Sequence, residues 1–266
     1  MPHPEADSLI ATAHAMADAA RGATLSHFRL RGLDVENKSG TGFDPVTRAD
    51  REAERVMRDI LAARRPDDGI LGEELGHLPG TSGLTWALDP IDGTRGFLCG
   101  TPTWGVLIAV SDADGPILGL IDQPYIGERF LGGLGRAELT GPCGTHPLAV
   151  RAPRPLSQAA LFTTFPEVGT PEEGRAFARL AARARLTRYG MDCYAYALVA
   201  LGQIDLVVEA GLHAYDILAP IAVIEAAGGV VTDWEGGPVR GGGRVLAAAN
   251  GAIHAEALAV LAGPGA

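Results

Sequence analysis

The stretch WALDPIDGTRGF, residues 86–97, reads as a buried strand that runs into a turn and then a short helix. Trp86, Ala87 and Leu88 form an apolar approach that ends at Asp89. Pro90 fixes its own φ and lacks an N–H, so a turn is expected there. Gly93 has no Cβ and lets another backbone or an anion come close. From Arg95 to Leu98 the chain can start a short helix, whose first N–H groups lack intrahelical partners and attract anions. Asp89 and Asp92, three residues apart, can grip a hard cation. Magnesium favours carboxylate and carbonyl oxygens and often shares substrate phosphate oxygens. A site that holds metal and phosphate together is one reading. A surface turn is the other, because Asp-Pro and Asp-Gly are common turn dipeptides.

The surrounding composition is that of a folded chain, with 47% hydrophobic and 20% charged residues among 266. That length suits one large domain or two intimate ones, with a sizeable core. The net charge of −10 argues against a nucleic-acid backbone or an anionic membrane as partner. A phosphate substrate would then need bound cations. Cys99, Cys143 and Cys193 form no CxxC pair, so neither a zinc site nor a disulfide framework is indicated. No apolar run approaches the ~18 residues of a membrane span. Glu5, Asp7 and Asp18 lie among the N-terminal alanines with no basic leader, so this stretch is not read as a signal peptide and a cytoplasmic setting is expected.

Helical spacing of Leu9, Ile10, Ala13, Ala17, Ala20 and Phe28 predicts a helix over residues 5–30. Further helices are expected at 48–65, about 172–184, 216–227 and 253–262, with an apolar segment near 194–202. Strands are expected at 69–72, 103–111, 116–124, near 128–132, at Ile204–Glu209, Val230–Thr232 and Val245–Ala248. NKSGTGFDP at 37–45 and Gly236–Gly243 read as loops. The alternation argues for mixed α and β layers.

Other acids have sufficient structural explanations when taken singly. Thr47 and Asp50 fit a capping box. Glu73-Glu74 fits a solvated strand end. Asp216 opens a helix, where the dipole favours it.

Four ordered blocks change that weighting: DPVTRAD at 44–50, LGEE at 71–74, WALDPIDGTRGF at 86–97 and AYDILAPIAVIEAAGG at 214–229. With them the sequence resembles the inositol-monophosphatase family of metal-dependent phosphatases over nearly its whole length. Tyr215 stands where that family usually has Trp, which keeps an aromatic beside the acid. The resemblance implies an α/β (α+β layered) fold, an αβαβα sandwich. It implies a single phosphatase unit of two halves, roughly 1–150 and 151–266, and a homodimer. The implied cofactor is Mg²⁺, two to three ions per site, with Mn²⁺ an alternative.

By matching positions, the resemblance makes Glu73, Asp89, Asp92, Asp216 and the Ile91 carbonyl metal ligands, with Asp50 helping to hold a weaker third ion. Gly93 and Thr94 would offer N–H groups to the phosphate. Thr94 and Glu73 would position the attacking water. Thr47, Asp44 and Lys38 would support the site. The implied reaction is direct hydrolysis of a phosphomonoester without a phosphoenzyme, in which paired cations clamp an in-line displacement. Without cations the acids repel one another, so the segment Lys38–Thr47 is expected to be loose.

The stretch RYGMDCYAYALVALGQIDLVVEAGLHAYDI, 188–217, resembles the histidinol-phosphatase branch of the family. TPTWGVLI at 101–108 and GERF at 127–130 point the same way. That branch implies a substrate carrying an ammonium and an imidazole, which Asp192 and Glu209 would meet. Asp192 could equally be the N-cap of the following helix. Tyr194 and Tyr196 are read as packing residues. The alternatives are an inositol-monophosphate phosphatase, a broad phosphomonoesterase, a phosphatase of nucleotide 3′-phosphates and a silent metal-binding regulator.

Overall fold

The computed structural model describes residues 3–30, 35–37 and 45–263. Lys38 and Asp44, and with them most of the segment expected to be loose, lie outside the described residues. The first part of the chain runs α1 (Ala6–Leu25), β1 (Val35–Asn37), β2 (Pro45–Thr47), α2 (Arg48–Arg64), β3 (Gly69–Gly72), β4 (Gly76–Leu78), β5 (Thr85–Asp92) and α3 (Thr94–Cys99). Then follow β6 (Gly105–Ser111), β7 (Pro116–Gln123), β8 (Glu128–Gly133), β9 (Arg136–Gly141), β10 (Gly144–Pro147) and β11 (Ala160–Thr163). The chain ends with α4 (Pro171–Ala181), β12 (Leu186–Tyr189), α5 (Cys193–Ala200), β13 (Leu206–His213), α6 (Ala214–Ala226), β14 (Val230–Thr232), β15 (Gly242–Ala248) and α7 (Gly251–Ala262).

An eight-stranded sheet has the order β10-β9-β8-β7-β6-β5-β3-β4, and a five-stranded sheet the order β12-β11-β13-β15-β14. Alternation along β5 shows how the layers form. Trp86 and Leu88 pack with Leu9, Met16 and Met57 of α1 and α2. Ala87 points the other way, into a cluster with Tyr196 of α5 and Ile217 and Ile221 of α6. That middle cluster also takes Val207 and Val245 from one face of the second sheet. The opposite face, through Val208 and Leu246, buries Phe177 of α4 and Ile253 of α7. The result is the five-layer αβαβα arrangement that the resemblance implies. Period-2 side chains that are apolar on both faces are what a doubly covered sheet requires. α6 lies between two sheets, and Ile217 through Ile224 is buried without interruption, as a helix enclosed on all sides must be. Among the described residues no helix is long and apolar enough to cross a membrane.

α6 also seats directly on backbone. A Cβ at Gly119 would lie 2.3 Å from the Ala219 carbonyl oxygen, and one at Gly132 would lie 2.3 Å from Val223 Cα. Gly132→Ala is therefore expected to lever α6 away from the sheet at a cost of about 1–3 kcal/mol. Urea unfolding measures this directly, and an unchanged midpoint would contradict the close seating.

The structure corrects the expected turn at Pro90. β5 does not stop at Asp89 but continues to Asp92. Asp89 pairs with Leu107 and Asp92 with Gly105, so one extra residue is accommodated between them. Such a bulge re-aims side chains. In a regular strand, residues three apart face opposite sides. Here the irregularity brings Asp89 and Asp92 to one site. The short strands β4, β9, β10, β11 and β12 and the β1–β2 hairpin were not among the expected elements. β10 is exposed at every position and β12 at most of them, so neither carries a burial alternation.

Candidate active site

A cavity of about 560 Å³ opens where the C-terminal end of β5, α3, α5, the end of β13 and the start of α6 converge. Its wall carries Glu73, Asp89, Asp92, Asp192, Glu209 and Asp216, and among the described residues a single arginine, Arg95.

Asp89, Asp92 and Asp216 each bring a carboxylate oxygen within 4.8 Å of the others. Asp89 is 2% exposed, with Oδ1 accepting the Ile91 N–H at 3.0 Å. Asp92 is held by the Cys193 N–H at 2.5 Å, so the first residue of α5 orients an acid 101 positions earlier. Asp216 Oδ2 accepts the His213 N–H at 2.7 Å, so it caps the helix start where the dipole reading placed it. Its charge also presses on Asp89 and Asp92. Capping and site membership thus coexist in one side chain.

The same holds for Asp50. It is fully buried, and its Oδ2 accepts from both Thr47 N at 2.8 Å and Thr47 Oγ1 at 2.5 Å. Its Oδ1 lies 3.5 Å from Thr94 Oγ1, which donates to the Ile91 carbonyl at 3.1 Å. Asp50 therefore sits behind Thr94, one step from the triplet.

Glu73 lines the cavity on the turn after β3, its N–H bonded to Leu88 O at 3.1 Å. A residue that the sequence reading passed over holds this turn. Glu54 is fully buried and accepts from Glu74 N at 2.7 Å and Leu75 N at 3.2 Å, while Arg58 Nε pairs with it at 2.7 Å.

The electrostatics suit a bound cation. Burial, followed by the charges of Glu73, Asp92 and Asp216, pushes Asp89 well above the carboxylate range. Burial and the charge of Asp192 do the same to Asp92. Burial moves Asp216 up to about 7 and Asp50 up to about 6, with Glu73 adding to both. Hard carboxylate oxygens crowded together form the donor set that a divalent oxygen-seeking ion satisfies. Asp89, Asp92 and Asp216, with Glu73 beside them, could hold such an ion.

Gly93 caps α3 with φ +85°, and a Cβ there would meet Asp192 Cγ at 2.7 Å. Asp192 itself has φ +47° and ψ −144°, and its side chain makes no capping bond. That excludes the N-cap explanation. A non-glycine residue in this region is strained, and such strain gathers at functional sites. Its carboxylate lies against the Gly93 turn, 3.4 Å from Thr103 Oγ1. Burial, and then the charge of Glu209, push it up to about 6.

Glu209 is buried opposite, at the last regular position of β13 before a register shift. Its Oε1 accepts from Thr164 N at 2.9 Å and its Oε2 from Tyr196 O–H at 2.7 Å. The hydroxyls of Tyr194 and Tyr196 are both engaged, on Glu128 and Glu209, so neither tyrosine serves packing alone. Thr164 was not among the expected site residues. Forty-five positions separate it from Glu209, and nothing local in the sequence marks the pair.

A sequence profile of the inositol monophosphatase family matches residues 5–263. The bifunctional phosphatase IMPL2 of Arabidopsis thaliana is 41% identical, over 96% of this chain and 75% of its own length. A histidinol-phosphatase of Streptomyces coelicolor is 37% identical over 94% of this chain and 95% of its own. Among solved structures, an inositol monophosphatase from Zymomonas mobilis superposes with a TM-score of 0.86 at 37% identity, covering 98% of this chain and 99% of that one.

Proposed function

The chain belongs to the inositol monophosphatase family, and from that premise we propose a metal-dependent phosphomonoesterase whose substrate is L-histidinol phosphate. The observation that carries the substrate is Asp192: a strained, half-buried acid without a capping role, laid against the Gly93 turn and facing Glu209.

Glu73, Asp89, Asp92, Asp216 and the Ile91 carbonyl would hold the cations, with Asp50 supporting a further one. When bound, divalent ions neutralise phosphoryl charge and acidify water. The N–H groups of Gly93 and Thr94 receive the phosphate oxygens. Glu73 accepts a proton from the attacking water, and Thr94 Oγ1, backed by Asp50, orients it. The water oxygen bonds to phosphorus as the ester P–O bond breaks, the leaving alkoxide takes a proton from solvent water, and Glu73 returns its proton to solvent. Asp192 and Glu209 accept hydrogen bonds from the ammonium and imidazole of the leaving group. Charge-assisted bonds of this kind are the stronger ones.

A second reading keeps the same chemistry for an inositol monophosphate, and the Zymomonas relative favours it. The two separate on one experiment: phosphate release with Mg²⁺ from L-histidinol phosphate and from myo-inositol 1-phosphate, for the wild type and Asp192→Asn. Preference for histidinol phosphate is expected. The variant should lose about 10–100-fold in kcat/KM on that substrate, the worth of one hydrogen bond to a charged partner. Equal or reversed preference removes the substrate assignment and leaves the phosphatase.

A further inference from the structure

Resting on the placement of Glu209 at the substrate, we propose that Thr164 and Tyr196 are positioning residues. They clamp the Glu209 carboxylate as a fixed acceptor and so select leaving groups that present hydrogen-bond donors.

The clamp engages both oxygens. Oε1 accepts Thr164 N at 2.9 Å and Thr164 Oγ1 at 2.5 Å, and Oε2 accepts Tyr196 O–H at 2.7 Å. The donors come from two elements outside the strand that carries Glu209: the residue after β11 and the middle of α5. Glu209 is 7% exposed and still lines the cavity.

An ionised carboxylate offers roughly four lone-pair sites and no donor. Three are filled, which fixes the plane of the group and leaves about one site for a ligand. A carboxylate free to rotate could meet ligands in several poses, whereas a clamped one accepts along one direction. An ammonium, imidazole N–H or hydroxyl satisfies it, and an ether, carbonyl or phenyl edge does not. A buried acceptor that faces the wrong group is left unpaired, which is how a polar pocket rejects analogues.

Tyr196 shows that the hydroxyl is there for this purpose. Its ring belongs to an apolar cluster with Ala87, Leu107 and Ile217, where phenylalanine would pack equally well. Glu209 is the partner of its hydroxyl. Two positions earlier, Tyr194 sends its hydroxyl to Glu128, away from the cavity wall.

The test is a selectivity ratio: kcat/KM for L-histidinol phosphate divided by kcat/KM for p-nitrophenyl phosphate, whose leaving group carries no N–H donor. Tyr196→Phe and Thr164→Val are each expected to lower the ratio about tenfold, mainly through KM for histidinol phosphate. Thr164→Ser should restore it. Tyr194→Phe, which removes the same atom from the same helix, should leave it in place. Thermal unfolding of each variant identifies any loss of fold. If both substrates weaken in parallel, or the ratio stays put in both variants, the clamp is overturned. If the wild type does not prefer histidinol phosphate, the substrate reading fails separately. The ratio is then taken with the preferred ester as numerator, and the same selective loss is required.

Discussion

Glu73→Gln is expected to lower Mg²⁺-dependent phosphate release by about 10²–10⁴-fold, the usual worth of a general base, with the fold intact. The side chain stands on a turn whose backbone is tied independently. Glu73 N bonds to Leu88 O, and Glu54 holds the N–H groups of residues 74 and 75. Exchanging a carboxylate for an amide of the same shape disturbs none of these bonds. It removes the proton acceptor, one candidate ligand and one repulsive charge. Because the charge of Glu73 adds to the burial that raises Asp50, Asp89 and Asp216, the metal-free variant should unfold no earlier than the wild type. Phosphate release under saturating Mg²⁺, read beside circular dichroism, separates the outcomes. Retained turnover would remove Glu73 from the chemistry. Lost turnover with a lost fold would show that the turn depends on its charge.

The parts of this site that were legible in the sequence are those where chemistry and spacing coincide. Asp89 and Asp92 are near neighbours on one apolar strand, and Thr47 to Asp50 is a local cap. Even there the local rule was incomplete. Pro90 reads as a turn in isolation, yet pairing of β5 with β6 tolerates it as part of an irregularity, and that irregularity puts both acids on one side. The local explanations, a capping box for Asp50 and the helix dipole for Asp216, were set against ligand roles, whereas a carboxylate can cap with one oxygen and leave the other for a site. Asp192 shows the opposite case. Its position before α5 permits an N-cap, and only the positive φ, set by the tertiary fold, turns the side chain into the cavity. The Glu209 clamp and the backbone groups that Glu54 braces were invisible because they lie 13 to 45 residues away from those acids, off the elements that carry them. Edge strands such as β10 and β12 bury too little to leave a pattern. By contrast, the unbroken apolar run of α6 announces a helix enclosed by two sheets, and its acid at the first turn is placed by that enclosure.

The metal-free protein should lose stability as pH rises from about 4 to 7, and Mg²⁺ should reverse the loss. Burial and neighbouring charge raise Asp216 to about 7 and Asp50 and Asp192 to about 6, and push Asp89 and Asp92 well above their ordinary value. In the unfolded chain the same groups return to about 3.9. Below that value both states hold the protons and the cluster costs little. Through the interval up to 7 the unfolded state releases protons that the folded state retains, so each added pH unit favours unfolding. The direction is opposite to that of a salt-bridged aspartate, and for the cluster together the loss should be on the order of a few kcal/mol. A divalent ion binds the ionised form. Its protection should therefore be small near pH 5 and approach about 2.7 kcal/mol at pH 8 when the ion stands at a hundredfold its dissociation constant. Asp89→Asn removes one charge from the most buried position of the triplet. It should flatten the pH dependence of the metal-free protein and shrink the Mg²⁺-induced rise together, because one carboxylate causes both the repulsion and the binding. Melting midpoints with EDTA and with MgCl₂ at pH 5.5, 6.5 and 8 measure all four quantities. A metal-free midpoint that is flat with pH, or an Mg²⁺ shift that survives Asp89→Asn in full, would mean that this triplet is not where the cation binds.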